Sequence, residues 1–222
     1  MIRGKCFWCF LSLSACLLMA CGGDEYHYPS VKLEFLTAYA GADGSLQSIR
    51  TDEGKAYMVV EDAAKFSMKA DSSARIVSNY EPMVAADGTS GVKLYAVRYA
   101  VSPVPLPAAR FEDGVKTDPA DVLSIWMGLD YLNIILNVKA QGGRHTFHFV
   151  ENKVVSDADS KEVSLTLFHD ANGDVGYTQR AYLSVPLRQY ATGGVKKVTV
   201  HFSLCTGSGK IKTYDLYYVP IN

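Results

Sequence analysis

The chain has 222 residues, 48% of them apolar, and a formal charge of −1 from 22 basic and 23 acidic side chains. That length suits one large or two small domains. The near-neutral balance, with no long run of Lys and Arg, argues against a nucleic-acid partner, which needs a clustered positive field.

Residues 1–20 have the three parts of a secretory signal. Arg3 and Lys5 form a basic start, Cys6 to Met19 an uncharged apolar run, and Ala20 the small residue before a cut. A membrane span needs roughly 20 apolar residues, so this run is short for one. Leu18-Met19-Ala20-Cys21 resembles the bacterial lipobox, in which the Cys sulfur is lipidated, the chain is cut before the Cys, and the freed amine is acylated. Cys21 is therefore the expected lipidation site. The expected location is the outer membrane, with the body facing the periplasm or the cell surface. Cys6, Cys9 and Cys16 would leave with the signal, so Cys6-x-x-Cys9 carries no redox or zinc meaning. Cys205 is then the one thiol of the folded part, and no internal disulfide can form.

Residues 21–30 read as a polar tether. From Val31 the pattern has period two, the mark of strands. Leu33, Phe35, Thr37 and Tyr39 can share a face. Further strands follow at 46–50, 56–60, 74–80 and 92–101, with turns at Gly41–Gly44, Thr51–Gly54 and Asp87-Gly88. Residues 61–70 are ambiguous and can hold a helical turn. Five short strands over 31–102 fit a small barrel of the oligonucleotide/oligosaccharide-binding (OB) type. Pro103, Pro105 and Pro107 are unsuited to a sheet ladder, so 103–118 reads as a stiff linker.

Residues 119–222 carry stronger alternation. Val122 to Met127 reads as a buried strand. Leu132, Ile134, Leu136 and Val138 point one way, and Tyr131, Asn133, Ile135 and Asn137 the other. Gly142-Gly143 and Asn172-Gly173 read as hairpin turns. Strands around Phe147, Leu165, Leu183, Val200 and Leu216 bring the number to seven, which suggests a β-sandwich. The fold class is therefore all-β: an OB-like five-stranded barrel followed by a seven-stranded sandwich.

Residues with catalytic or ligating chemistry are few. His145 and His148 are three apart, on opposite faces of a strand, which disfavours a shared metal. His201 falls on a polar strand face, and His27 in the tether. His169-Asp170-Ala171-Asn172-Gly173-Asp174 opens like a calcium loop. Counted from Asp170, however, Val175 holds the place of the turn Gly and Ala181 that of the bidentate Glu. No Ser stands in a G-x-S-x-G elbow, and Cys205 reads as a small apolar residue. No cofactor is expected. Glycosidase chemistry would need two converging carboxylates, and no spacing indicates such a pair. Tyrosines are the more suggestive feature. Tyr177, Tyr182, Tyr214 and Tyr218 are candidate ligand contacts, since exposed rings suit sugars or proteins. The competing reading is that strands favour Tyr at half-buried positions.

The string Trp126-Met127-Gly128-Leu129-Asp130-Tyr131-Leu132-Asn133 resembles the NigD-like lipoproteins, as do Phe147–Glu151, Leu167–Asp174 and Lys212–Tyr218. The resemblance implies an N-terminal OB-like barrel and a C-terminal β-sandwich. It also implies a non-catalytic accessory or bacteriocin-immunity role, with no catalytic residues to carry across. The expected partners are the membrane, through the lipid, and an envelope protein or glycan. A surface glycan-binding lipoprotein is the alternative, and an unrecognised hydrolase the third reading.

Overall fold

The computed structural model describes residues 31–220. The expected signal, tether and lipid-bearing Cys21 lie outside them. Strands β1 (Lys32–Ala40), β2 (Leu46–Thr51), β3 (Ala56–Asp62), β4 (Ser73–Val84) and β5 (Ser90–Tyr99) close a barrel in the order β1-β2-β3-β5-β4. β3 and β5 run parallel and the other pairs antiparallel. Closure removes the free sheet edges that a five-stranded open sheet would expose.

β1 is buried on both faces, which its alternation alone did not reveal. Leu36 and Ala38 point into the barrel with Ile49, Ile76, Tyr80 and Leu94. Phe35 points outward and is nevertheless buried, with Val77 and Ala100, against Ile135 and Tyr182 of the second half. Residues 61–70 hold a single hydrogen-bonded turn, with the Lys65 N–H 3.3 Å from the Asp62 carbonyl, but no helix. The Asp62 carboxylate accepts the N–H groups of Ala64 and Phe66 at 3.0 and 2.9 Å, a local capture that competes with a helix.

After β5 the chain crosses directly onto the second half. Val101 donates to the Tyr182 carbonyl and accepts from the Ser184 N–H, both at 2.9 Å. The proline segment does join a sheet, contrary to the expectation from its composition. β6 (Leu106–Pro107) pairs parallel with Val150–Glu151 at the rim of a sheet. An edge position accepts proline because the missing N–H has no partner to lose there.

The sandwich is built from β7 (Asp121–Met127), β8 (Tyr131–Ala140), β9 (Thr146–Ser156), β10 (Ser160–Asp170), β11 (Tyr177–Pro186), β12 (Lys197–Cys205) and β13 (Ile211–Tyr218). One sheet has the order β13-β12-β10-β9-β6 and the other β11-β8-β7. Leu132, Ile134 and Leu136 from β8 meet Leu165, Val200 and Phe202 in a core with no solvent exposure. Each such side chain contributes about 1.5–3 kcal/mol on burial.

Three local expectations are corrected. β7 is an edge strand rather than a buried one, with Leu123 exposed and a register shift between Val122 and Ser124. Gly142-Gly143 joins β8 to β9, and Asn172-Gly173 joins β10 to β11; in both cases the flanking strands belong to different sheets. These are crossovers between layers, not hairpins. The backbone at Asn172-Gly173 nonetheless takes the conformation these residue types favour. Both residues have positive φ, 51° and 73°, and the Asp174 N–H closes on the Ala171 carbonyl at 2.9 Å.

The outer face of β8 docks the barrel through a buried polar network. Arg75 of β4 has a side chain only 1% exposed. Its Nη2 donates to both Asp52 carboxylate oxygens at 2.5 and 2.6 Å and to Asn133 Oδ1 at 3.1 Å, and its Nε to Ser184 Oγ at 3.0 Å. Asn133 Nδ2 donates to Asp52 at 2.6 Å, and Ser184 Oγ to Asn133 Oδ1 at 2.7 Å. The Tyr131 ring lies 4.2 Å from the guanidinium carbon. Gly128 sits where a Cβ would collide with the Asp52 carboxylate and the Asn133 amide. Among the described residues no buried side-chain N or O is left without a partner.

Arg75→Met is therefore expected to destabilise the protein by about 3–5 kcal/mol, because Asp52 would keep its charge and lose its partner. Gly128→Ala should destabilise through the same carboxylate. Urea unfolding followed by the fluorescence of Trp126, which meets Phe35 edge-on at 5.4 Å across this seam, measures both.

Candidate functional site

The four candidate tyrosines do not assemble. Tyr177 and Tyr182 lie on β11 and Tyr214 and Tyr218 on β13, edge strands of different sheets. Tyr177 is 78% exposed. Tyr182 is half-buried in the barrel seam, 5.1 Å from the Arg98 guanidinium carbon. Tyr214 packs partly on the core, with the Lys212 ammonium 4.6 Å from its ring centre. Tyr218 is a correction: it is buried, and its hydroxyl donates to Asp130 at 2.8 Å, so it offers no surface to a ligand. Burial, then the Asp130 carboxylate, pushes its hydroxyl pKa upward.

Polar side chains converge instead at the end of the sandwich away from the barrel. In β7, β8 and β11 the barrel occupies the end around Trp126, Asn133 and Ser184. The other end holds Asp121, Lys139 and Thr178. There a cavity of about 520 Å³ opens among Asp118, Asp121, Asn137, Lys139, His169 and Asp174. Its apolar wall includes Pro119, Ala120, Val138 and Val175. The volume falls within the range of small-ligand sites.

Carboxylates brace the loops around this cavity. Asp174 accepts the N–H groups of Gln141 and Gly143 at 3.0 and 2.7 Å and so pins the β8–β9 crossover. These backbone donors, Gln141 foremost, hold its carboxyl below the ordinary range. Asp118 accepts the Ala171 N–H at 2.7 Å, and Asp121 the Gly207 N–H at 2.9 Å. Lys116 pairs with Asp170 at 2.7 Å just outside. The segment expected to resemble a broken calcium loop is thus a braced crossover. Among the described residues no three His, Cys, Asp or Glu side chains are placed to share a metal ion.

Two histidines join the same bracing. His169 Nδ1 lies 2.9 Å from the Asp118 carbonyl, which can only accept, so Nδ1 carries a proton and Nε2 is free to accept. His145 Nδ1, 2.9 Å from that Nε2, then donates. His145 Nε2 faces the Asp174 carboxylate at 3.3 Å. Phe147 stacks on His169 at 4.5 Å and closes the inner side. His148 instead meets Phe111 edge-on, and His201 pairs with Asp215 at 2.6 Å on the surface. His27 lies outside the described residues. Cys205 is half-buried at the end of β12.

His145 and His169 are 24 residues apart. Sequence reading paired neither with the other, because cross-strand neighbours follow from register. Phe147 stands opposite His169 in the β9–β10 ladder, and this places His145 diagonally beside it.

Burial holds the His169 imidazole below its ordinary pKa of 6.5, with the Asp118 carbonyl opposing and His145 adding to the shift. A histidine depressed in the folded state gives its full stability above the unfolded pKa and loses it on acidification. Unfolding free energy is therefore expected to fall as pH drops below 6.5, and His169→Gln should flatten that limb. Asp174 adds its own loss only below its ordinary 3.8. Urea unfolding across a pH series separates the two.

Comparison with known proteins follows the same architecture. A family model for the NigD-like C-terminal beta sandwich domain matches residues 102–218. The crystal structure of a NigD-like immunity protein from Bacteroides caccae is 40% identical, covers 87% of this chain and 100% of its own, and superposes with a TM-score of 0.74. A protein of unknown function from Bacteroides vulgatus shares the fold at 18% identity, covering 86% of this chain and 92% of its own, with a TM-score of 0.64. A protein described as toxin-related from Parabacteroides distasonis does so at 17% identity, covering 86% and 94%, with a TM-score of 0.65. No curated protein matches the chain. With its barrel, its sandwich and the string from Trp126 to Asn133 at the seam between them, the chain belongs to the NigD-like family.

Proposed function

We propose that this chain is a lipid-anchored envelope protein that works by binding rather than catalysis, in an immunity or accessory role. The observation that carries the reading is the 40% identity to a NigD-like immunity protein over the whole of that chain. The bracing of the cavity supports it. Asp118, Asp121 and Asp174 each accept a backbone N–H, and the carboxyl of Asp174 is held low. A general acid needs the opposite shift. Asp174 is therefore unsuited to the part of a general acid. Glycan capture is the weaker alternative, because the four tyrosines form no common platform.

The anchor belongs to the same proposal and rests on Cys21 and the signal before it. Each buried CH₂ adds about 0.8 kcal/mol of membrane affinity, so several acyl chains on one residue hold a protein almost permanently. The partner is an envelope protein or peptide rather than a nucleic acid, and the attachment is to the outer membrane.

Two measurements test this. Cys21→Ala should abolish uptake of labelled lipid and shift the protein out of the membrane fraction; continued lipid labelling would refute the anchor. Deleting the gene should sensitise cells to a peptide toxin, and unchanged killing would count against the immunity role.

A further inference from the structure

We infer that the cavity at the barrel-distal end of the sandwich is a binding site for a cationic side chain, an arginine or lysine presented by a peptide partner. The inference rests on the reading that this protein acts by binding, and it names the chemistry of what is bound.

Three features of the wall select the ligand. First, Asp118 and Asp121 each spend one carboxylate oxygen on a backbone N–H, through Oδ2 and Oδ1 respectively. The second oxygen of each has no hydrogen-bond partner among the described residues. Asn137, between them and Lys139, has an amide that is likewise unpartnered among those residues. Since no buried side-chain oxygen or nitrogen there lacks a partner, these groups are open to solvent or to a ligand. Second, part of the wall is apolar, with Pro119, Ala120, Val138 and Val175 among the polar groups. A charged head on an alkyl stem matches both parts, the methylenes lying on the apolar wall and the head on the carboxylates. Third, the one ammonium in the wall, Lys139, donates to Thr178 Oγ1 at 2.9 Å. Arg180, opposite Asn137 on β11, is exposed and forms no part of the wall.

Other ligand classes fit less well. An anion would meet three aspartates against one lysine. A sugar would find no Phe, Tyr or Trp in the wall to stack on. A bare metal ion needs ligands converging on one point, and among the described residues no such group exists. An extended organic cation needs only carboxylates spread along a cavity of about 520 Å³. The walls are also preorganised, because Asp174 and the His145–His169 pair hold the crossovers in place before any ligand arrives.

The test compares N-acetyl-arginine amide with N-acetyl-citrulline amide, its neutral isostere, by titration calorimetry on the full-length protein in detergent. The arginine compound should bind at least about tenfold more tightly, the scale of one charge-assisted hydrogen bond. That preference should shrink as salt is raised. The double variant Asp118→Asn, Asp121→Asn keeps oxygens for the Ala171 and Gly207 N–H groups, so it should still unfold in one cooperative transition, and it should lose the preference. Equal affinity for the two compounds, binding of neither, or a salt-insensitive preference would each overturn the inference without need of a variant. Returning the double variant to the deletion strain separates the two readings. Full protection by it would leave the immunity role standing and remove the cavity from it. Arginine binding in a protein whose deletion changes no killing would do the reverse.

Discussion

The two halves of this protein are held in register by one guanidinium. Arg75 leaves the barrel and enters a site built by Asp52 of its own half and by Asn133 and Ser184 of the other. A charge buried to this degree is tolerable only when its nitrogens find acceptors: Nε meets Ser184, Nη1 meets Thr37 at 3.4 Å and Nη2 meets Asp52 and Asn133, while the hydrogen bonds among Asn133, Ser184 and Asp52 hold those acceptors in place. The geometry leaves the barrel little freedom to slide, since a rigid fork reads both neighbours at once. An apolar contact alone, such as Phe35 and Val77 on Ile135 and Tyr182, would permit several registers.

This explains what the string from Trp126 to Asn133 does. Trp126 meets Phe35 from across the seam, Gly128 leaves room for Asp52, Tyr131 lies under the guanidinium, and Asn133 closes the network. Asp130 takes the Tyr218 hydroxyl and ties the far strand to the same loop. The most recognisable residues in the chain are therefore joinery. The free polar groups lie at the other end of the same strands, where Asp118 and Asp121 offer oxygens that the fold does not consume.

Carboxylates serve the same purpose at both ends. Asp52 neutralises a buried cation, while Asp174 and Asp118 gather backbone N–H groups where the chain crosses between sheets. Crossovers expose more unpaired backbone than hairpins do, because the flanking strands cannot satisfy one another. A side-chain oxygen is the economical remedy. The His145–His169 contact is a further brace of this kind, reaching from the start of β9 to the end of β10.

Alternation of apolar residues along the chain determined the five barrel strands, the seven long strands of the sandwich and the two faces of β8, because a pleated strand has period two whatever surrounds it; the short β6, with no alternation to show, joined the sandwich as an eighth. Residue type alone determined the reversed backbone at Asn172-Gly173. What only the tertiary structure decided was partnership. Neither a two-residue turn nor a run of prolines states which sheet the next strand joins. So Gly142-Gly143 bridges two layers, and Pro107 lies at a sheet edge. Nor does a strand state that its outward face will be covered by another domain, as Phe35 and Asn133 are, or that Tyr218 will be buried. Period and torsion preference are local properties of the chain. Pairing, burial and the meeting of His145 with His169 are set by contacts between residues distant in sequence.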